Sequence, residues 1–303
     1  APQFESGETI EKNYKQENVD GPTLLSLTIP KVLYSYYKRR PRIPQYGAYL
    51  SDKYDEQYIK GLVDEFDQFA KDRGKDDIFA INHMMSFVQN LEYTTDKVAT
   101  GYNEYPKFPI ETLVDKDGDC EDTCILLSSM LNQFGYGVVL LLFEEQQHMA
   151  VGLRGDSGIP GTYFEQDGKR YYYVETTDSG WNIGEAPPEM KGASAELVPV
   201  NDNGVLVFSY ATDVDENGLK VNLQVRNVGD AAGKAQAEVV CQDKSKKAVD
   251  VARSDPTMLQ PQSEKKIVVK PSPPADKTLR LKVKVALDGE LHDSLTSEWR
   301  EPS

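Results

Sequence analysis

At 303 residues the chain is longer than one hydrophobic core usually supports, so its length predicts two domains. Its formal net charge of −15 and its isoelectric point near 4.7 argue against electrostatic capture of nucleic acid or of an anionic membrane surface. The excess acid lies on residues 1–204, because residues 205–303 carry 15 basic and 15 acidic side chains. This asymmetry favours a domain boundary near residue 200.

The ends of the chain and its cysteines bear on its location. Three cysteines, Cys120, Cys124 and Cys241, are too few and too badly spaced for a disulfide framework or a zinc site. The sequence contains no run of 18 apolar residues, and residues 1–5 lack the basic and apolar parts of a signal peptide. A start on a small residue is compatible with a processed mature chain or a trimmed one. We expect an extracellular or cell-surface protein.

The N-terminal third begins with a polar segment and continues into two helices. We predict that residues 1–57 form an extended and helical segment that packs on the core, with a strand at 24–30 and a helix or an arm at 32–40. Apolar residues then recur at helical spacing over 58–72 and over 77–91, which predicts two amphipathic helices.

The middle of the chain, residues 58–200, has the pattern of an α+β domain. A helix is predicted over 119–134, followed by a buried strand at 138–143, where six apolar residues stand in a row. Two more strands are predicted at 148–153 and 171–176. Helices followed by an antiparallel sheet are typical of the α+β class.

Residues 201–303 have a different pattern, with short alternating strands separated by turn residues. Five strands are predicted, at 205–209, 219–225, 235–240, 265–270 and 278–286, which indicates an all-β sandwich. The segment Val221–Asp230 resembles the strand and turn of adhesion-type immunoglobulin-like modules on microbial surface proteins. The resemblance implies an immunoglobulin-like fold for this domain.

Cys120 is the candidate nucleophile because two features could favour its thiolate. It opens a predicted helix, where free amides and the helix dipole attract an anion, and Asp119 stands where a capping carboxylate is expected. Glu121 and Asp122 oppose thiolate formation, so a base is also required. His148, at the start of a strand, is the candidate base, whereas the other two histidines, His83 and His292, are interpreted as packing residues.

Residues 105–185 contain three recognisable motifs: Gly118-Asp119-Cys120-Glu121-Asp122, His148-Met149-Ala150-Val151 and Tyr172-Tyr173-Val174-Glu175-Thr176-Thr177. Through these motifs the segment resembles the transglutaminase-like superfamily, a papain-related fold with a Cys-His-acid site. The resemblance implies that Cys120 is the nucleophile, that His148 is its base, and that Glu175 orients the imidazole. Glu175 stands where the family usually has aspartate, and Asp178 is the alternative orienting residue. Tyr93 matches a tyrosine that precedes the core in many members, or else it only packs there.

Other signals have structural interpretations. We expect Cys124 and Cys241 to be buried small side chains. The segment Asp213–Gly218 matches the start of a calcium loop but has glutamine at the twelfth position, so we interpret it as a hairpin turn. The basic segment Lys38–Arg42 is interpreted as a salt-bridged surface.

The sequence therefore predicts a thiol-dependent amide hydrolase of the cysteine peptidase type, with a protein or peptide substrate and no cofactor or metal. Acyl transfer to an amine, as in a transglutaminase, is the first alternative, and a non-catalytic surface binding or adhesion protein is the second. A cell-surface or wall partner is expected for the β domain. Residues 1–50 could cover the cleft as a pro-segment.

Overall fold

The computed structural model describes residues 7–16, 23–96, 105–201, 203–215, 218–274 and 276–300. The chain divides into two compact units. Of the described residues, the first unit comprises those within 7–38 and 45–200, and the second comprises those within 39–44 and 201–300. Within the described residues, no helix has the length and apolar character needed to cross a membrane.

The first unit opens with an antiparallel hairpin and contains both α-helices and short 3₁₀ helices. The hairpin consists of β1 (Thr9–Gln16) and β2 (Thr23–Pro30). The described part of the unit contains the α-helices α1 (Lys31–Arg39), α2 (Glu56–Lys71), α3 (Asp77–Gln89), α4 (Pro109–Asp115) and α5 (Cys120–Gln133). It also contains two short 3₁₀ helices, Tyr46–Tyr49 and Pro188–Met190. The Asp76 carboxylate caps α3 by accepting a hydrogen bond from the Phe79 amide at 3.1 Å.

Helix α5 is the centre of the first unit. Its residues from Glu121 to Leu131 are all buried, and a helix that is buried on all sides needs neighbours all round. It contacts α2, α3 and α4, and it also contacts the sheet strands β5 (Val138–Phe143) and β6 (His148–Gly155). The first residue of α5, Cys120, is therefore held close to the end of the sheet where β6 begins.

The sheet of the first unit has five antiparallel strands in the order β7-β8-β6-β5-β9. Its remaining strands are β7 (Tyr163–Gln166), β8 (Lys169–Val174) and β9 (Glu196–Pro199). A two-residue parallel ladder, β3 (Glu92–Tyr93) with β4 (Asp117–Gly118), leads the chain into α5. Gly118 has no room for a side chain, because a Cβ there would lie 2.6 Å from Cβ of Asp122.

The second unit is made of strands in its described part. A three-stranded sheet has the order β10-β11-β15, and a second sheet has the order β13-β12-β16-β17, with β14 paired to β12. The strands are β10 (Leu206–Asp215), β11 (Gly218–Asn227), β12 (Gly233–Gln242), β13 (Ala248–Arg253), β14 (Thr257–Leu259), β15 (Glu264–Val269), β16 (Arg280–Leu287) and β17 (Glu290–Thr296). Inward-facing residues of both sheets, Cys241 among them, form one core.

Several sequence interpretations can be compared with this architecture. Pairing of Asp215 with Gly218 confirms the hairpin, although Glu216 and Asn217 of the rejected calcium pattern lie outside the described residues. The segment Lys38–Arg42 was interpreted as a salt-bridged surface, and this is confirmed for Lys38, which pairs with Asp115 at 2.9 Å. It is wrong for Arg40, which is buried in the second unit and donates hydrogen bonds to the carbonyls of Leu206 and His292.

The expected N-terminal segment 1–57 is not one piece. Residues 39–44 group with the second unit, and the rest of its described residues belong to the first. Tyr14 of β1 is buried, and its hydroxyl donates a hydrogen bond to the Leu113 carbonyl in α4. The hairpin therefore packs on the helices of the first unit, while residues 1–6 and 17–22 lie outside the described part.

Candidate active site

Cys120 is the first residue of α5 and is half-buried. Asp119 occupies the N-cap position with extended backbone, but its side chain does not cap the helix as expected. Its carboxylate turns away and accepts a hydrogen bond from the Asp96 amide at 3.3 Å. The Asp119 carboxylate therefore does not occupy the first-turn amides of α5.

His148 is positioned by a tight turn. It pairs with Phe143 across β5 and β6, and it follows Gln147, whose φ of 48° reverses the chain. Its Nε2 lies 3.2 Å from Oε2 of Glu175. Because the carboxylate is an acceptor, Nε2 must carry the hydrogen, and Nδ1 is then the nitrogen able to accept a proton.

Glu175 follows directly after β8 and is buried. Its Oε1 accepts hydrogen bonds from the amides of Thr176 and Thr177, both at 3.0 Å, and from the Thr177 hydroxyl at 2.7 Å. Burial alone would raise the pKa of Glu175, but hydrogen bonds from His148, Tyr173 and Thr177 outweigh it and lower the pKa to about 2. Glu175 is therefore an anion at neutral pH.

Asp178, the alternative orienting residue, lies elsewhere. Its side chain is exposed, and its carboxylate accepts a hydrogen bond from the Ser179 amide at 2.8 Å. Of the two acids, the structure places Glu175 against His148.

Cys120 and His148 line one cleft of about 260 Å³. Its wall also contains Tyr46, Glu121, Leu142, Phe143, Glu144, Gln147 and Met149. The structure thus brings together the three residues that the sequence selected, with the thiol and the imidazole facing one space and the acid behind the imidazole. Tyr46 comes from the N-terminal 50 residues, and it contributes to the wall of the cleft.

The surroundings of Cys120 disfavour the ionised, thiolate form of its side chain. Burial, and then the charge of Glu121, raise the pKa of the Cys120 thiol, while a hydrogen bond from the Met149 backbone acts in the opposite direction. The Sγ atom lies 3.3 Å from Oε2 of Glu121. A thiol in this environment needs a base to take its proton as it attacks.

Three carboxylates, from Asp96, Asp119 and Glu121, converge beside Cys120, with one oxygen of each within 4.8 Å of the others. Among the described residues they are the group whose spacing could suit a hard cation. Burial, and then the charge of Asp119, raise the pKa of Glu121 to about 8, and Glu121 is hydrogen-bonded to Asp119. Glu121 is therefore mostly protonated at neutral pH. We call these three carboxylates the acid cluster.

Replacing Glu121 with glutamine is expected to increase the reactivity of Cys120 at alkaline pH. Above pH 8 the Glu121 carboxylate ionises, and its charge raises the thiol pKa. Removing that charge should increase the rate of alkylation by iodoacetamide at pH 9 by about tenfold. The measurement is the rate against pH, with Glu165→Gln on the exposed strand β7 as control. An unchanged or slower rate in Glu121→Gln would contradict the electrostatic role.

The remaining candidates have packing roles. Cys124 is fully buried, with its sulfur 3.3 Å from both the Met149 carbonyl and the Thr176 hydroxyl. His83 is buried in α3, where its ring packs against Phe79 at 4.2 Å.

Tyr93 is more than half exposed on β3. Burial of part of the side chain, and then the charges of Cys120 and Asp119, raise the pKa of its hydroxyl. Its phenol is therefore within electrostatic reach of the nucleophile.

Two residues that sequence reasoning missed hold Glu175 in place. Tyr173 donates a hydrogen bond to its Oε2 at 2.6 Å, and Gln89 of α3 donates one to its backbone carbonyl at 2.9 Å. Strand alternation could have indicated Tyr173, which stands two residues before Glu175 on the same face. Gln89 is 86 residues away in the chain and has no local signal.

Comparison with known proteins found no matching family model and no matching curated protein. Among solved structures, a GH2 β-galacturonidase from Eisenbergiella tayi bound to galacturonate aligns with 55% of this chain at 13% identity and a TM-score of 0.24. The same kind of enzyme bound to glycerol aligns with 53% of this chain at 14% identity and a TM-score of 0.21. The alignments cover 34% and 33% of those chains, and such scores do not define a shared fold.

Proposed function

We propose that the first unit is a thiol-dependent amide hydrolase with a transglutaminase-like, papain-related fold. The observation that carries the proposal is the arrangement of three side chains. Cys120 and His148 face one cleft, and the buried Glu175 carboxylate accepts a hydrogen bond from Nε2 of His148. A nucleophile, a base and an acid that orients the base are the parts that acyl transfer requires.

The chemistry follows from the roles of the two imidazole nitrogens. Nδ1 of His148 takes the thiol proton as Sγ of Cys120 forms a bond to the substrate carbonyl carbon, and Nε2–H stays hydrogen-bonded to Glu175. The C–N bond then breaks, and the proton passes from Nδ1 to the leaving amine. The Cys120 backbone amide, in the first turn of α5, is the proposed donor for the oxyanion. Water then attacks the thioester carbon as Nδ1 of His148 takes one of its protons. The C–S bond breaks, the proton passes from Nδ1 to Sγ of Cys120, and the carboxylic acid and the free thiol are released.

Turnover of a protein substrate tests the proposal. Wild type and Cys120→Ala are incubated with an unfolded protein, with and without a fluorescent primary amine, and the products are analysed by mass spectrometry. New chain ends or deamidated side chains in the wild type alone support hydrolysis. Incorporation of the amine in the wild type alone indicates acyl transfer. Identical products from both proteins would contradict an enzymatic role for Cys120.

The second unit is proposed to position the first on a protein partner or surface. Its two sheets enclose their own core, so it has the means to fold around that core. An adhesion-like module attached to a hydrolytic unit fits an extracellular or cell-surface location.

A further inference from the structure

Tyr173 contacts two members of the proposed triad at once. Its side chain is fully buried on β8, and its ring lies 6.1 Å from that of Phe143, the residue paired with His148. Its hydroxyl lies 2.6 Å from Oε2 of Glu175 and 3.3 Å from Nε2 of His148. The three polar atoms therefore form a closed triangle, since Nε2 and Oε2 are 3.2 Å apart.

Hydrogen-bond chemistry limits how this triangle can be satisfied. Tyrosine has one hydroxyl hydrogen, and the shorter contact directs it to the Glu175 carboxylate. The tyrosine oxygen is then an acceptor toward His148, as is the Glu175 oxygen. Both acceptors are satisfied only when the imidazole hydrogen is on Nε2, which leaves Nδ1 unprotonated on the side away from Glu175.

The glutamate itself also needs to be held. A glutamate side chain has three rotatable bonds, and fixing them costs conformational entropy unless contacts define the rotamer. Oε1 is fixed by Thr176 and Thr177, and Tyr173 fixes Oε2 in the position where it meets His148.

We propose that Tyr173 is a positioning residue of this site, which holds the Glu175 carboxylate against His148 and selects the His148 tautomer with its hydrogen on Nε2. The inference rests on the proposed function, because it assigns Tyr173 a role in preparing His148 to act as the base of Cys120. Tyr173 itself acts through Glu175 and His148.

A matched control is provided by the neighbouring residue on the same strand. Tyr172 is 1% exposed, and its hydroxyl donates to the Asp156 carbonyl at 2.6 Å, the same length as the Tyr173 hydrogen bond to Glu175. Tyr172→Phe removes a tyrosine hydroxyl whose hydrogen bond is equally short, but that bond does not involve Cys120, His148 or Glu175. Any effect of Tyr173→Phe beyond that of Tyr172→Phe therefore reports on the triad.

The experiment compares the full-length wild type with Tyr173→Phe, Tyr172→Phe, Glu175→Gln, the double variant Tyr173→Phe/Glu175→Gln, and His148→Ala. The rate of Cys120 alkylation by iodoacetamide is measured at pH 7, the modified residue is located by mass spectrometry, and thermal unfolding confirms that each variant is folded. We expect Tyr173→Phe to react about tenfold more slowly than wild type, because this variant loses one hydrogen bond to a charged group. Tyr172→Phe should remain within about twofold of wild type. Adding Tyr173→Phe to Glu175→Gln should change nothing further, because both act through one contact.

Three results would overturn the inference: a Tyr173→Phe rate within about twofold of wild type, an equal slowing by Tyr172→Phe, or effects of Tyr173→Phe and Glu175→Gln that multiply. Any of these with a rate that still depends on His148 leaves the proposed function standing. If His148→Ala reacts as fast as wild type, the proposed function and the inference both fail.

Discussion

Glu175→Gln is expected to reduce turnover by about 10²–10⁴-fold while leaving the protein folded. Glutamine fills the same volume, but its amide has no charge to stabilise the imidazolium, and it can present NH₂ instead of an acceptor to Nε2 of His148. The imidazole then loses the hydrogen on Nε2, and Nδ1 no longer accepts the Cys120 proton. The measurement is kcat/KM on whichever amide substrate the mass-spectrometric assay identifies.

Asp178→Asn is the matched control, because it removes the same charge three residues along the chain from an exposed side chain. We expect its kcat/KM to stay within about twofold of wild type, since surface substitutions away from the site have small effects. If Asp178→Asn were the variant that lost activity while Glu175→Gln kept it, the assignment of the orienting acid would be wrong.

Lys107→Met is expected to destabilise the first unit by about 3–5 kcal/mol. The Lys107 side chain is 1% exposed, and its ammonium group donates to the Asp117 carbonyl at 3.0 Å and to the Asp117 carboxylate. It also lies 3.6 Å from the buried Asp122 carboxylate. Without the lysine, Asp117 and Asp122 lose the cation that pairs with them. Because both lie where the chain enters α5, we expect this loss to destabilise the first unit.

The unfolding of the first unit can be followed separately, because the two tryptophans, Trp181 and Trp299, lie in different units. In a Trp299→Phe background, Trp181 fluorescence during urea unfolding reports on the first unit alone. Lys60→Met is the control, since the Lys60 pair with Asp64 on α2 is about 60% exposed and should contribute at most about 0.5 kcal/mol. Equal losses in the two variants would contradict a buried ion network around Lys107.

Helical spacing of apolar residues predicts three of the five helices α1 to α5 of the first unit, whereas α4 has only seven residues, is too short to show a period and was missed. The expected helices at 58–72, 77–91 and 119–134 correspond to α2, α3 and α5, and each predicted end lies within two residues of the observed one. Strands β1, β7 and β9 and the two-residue strands β3 and β4 were missed. In β1 only Tyr14 is buried among the residues whose burial is described, and β7 has no buried residue, so neither shows an apolar alternation.

In the second unit, five predicted strands correspond to five of the eight observed, and β13, β14 and β17 were missed. β14 has three residues, and β13 has no fully buried residue. Short or exposed strands at sheet edges owe their place to hydrogen bonds with a neighbour, which the local sequence does not encode.

The candidate site likewise contains residues that the sequence predicts and residues that only the fold reveals. Cys120, His148 and Glu175 could be selected from the sequence because each lies in a short recognisable segment. Some of the groups around them come from distant parts of the chain: Asp96 completes the acid cluster with Asp119 and Glu121, and Lys107 pairs with Asp122 across 15 residues. Burial is the largest cause of the raised thiol pKa and is a property of the folded chain, so the sequence alone predicted a more acidic Cys120 than its surroundings favour.

The most direct test of the account is the alkylation rate of Cys120 by iodoacetamide in the wild type and in His148→Ala, measured from pH 5 to pH 9 with the labelled residue located by mass spectrometry. If His148 takes the Cys120 proton, the wild type will react at least about tenfold faster than His148→Ala near pH 7. Its rate profile will also contain an ionisation that the variant lacks. If the two proteins react at the same rate across this range, Cys120 and His148 do not act as a nucleophile and its base.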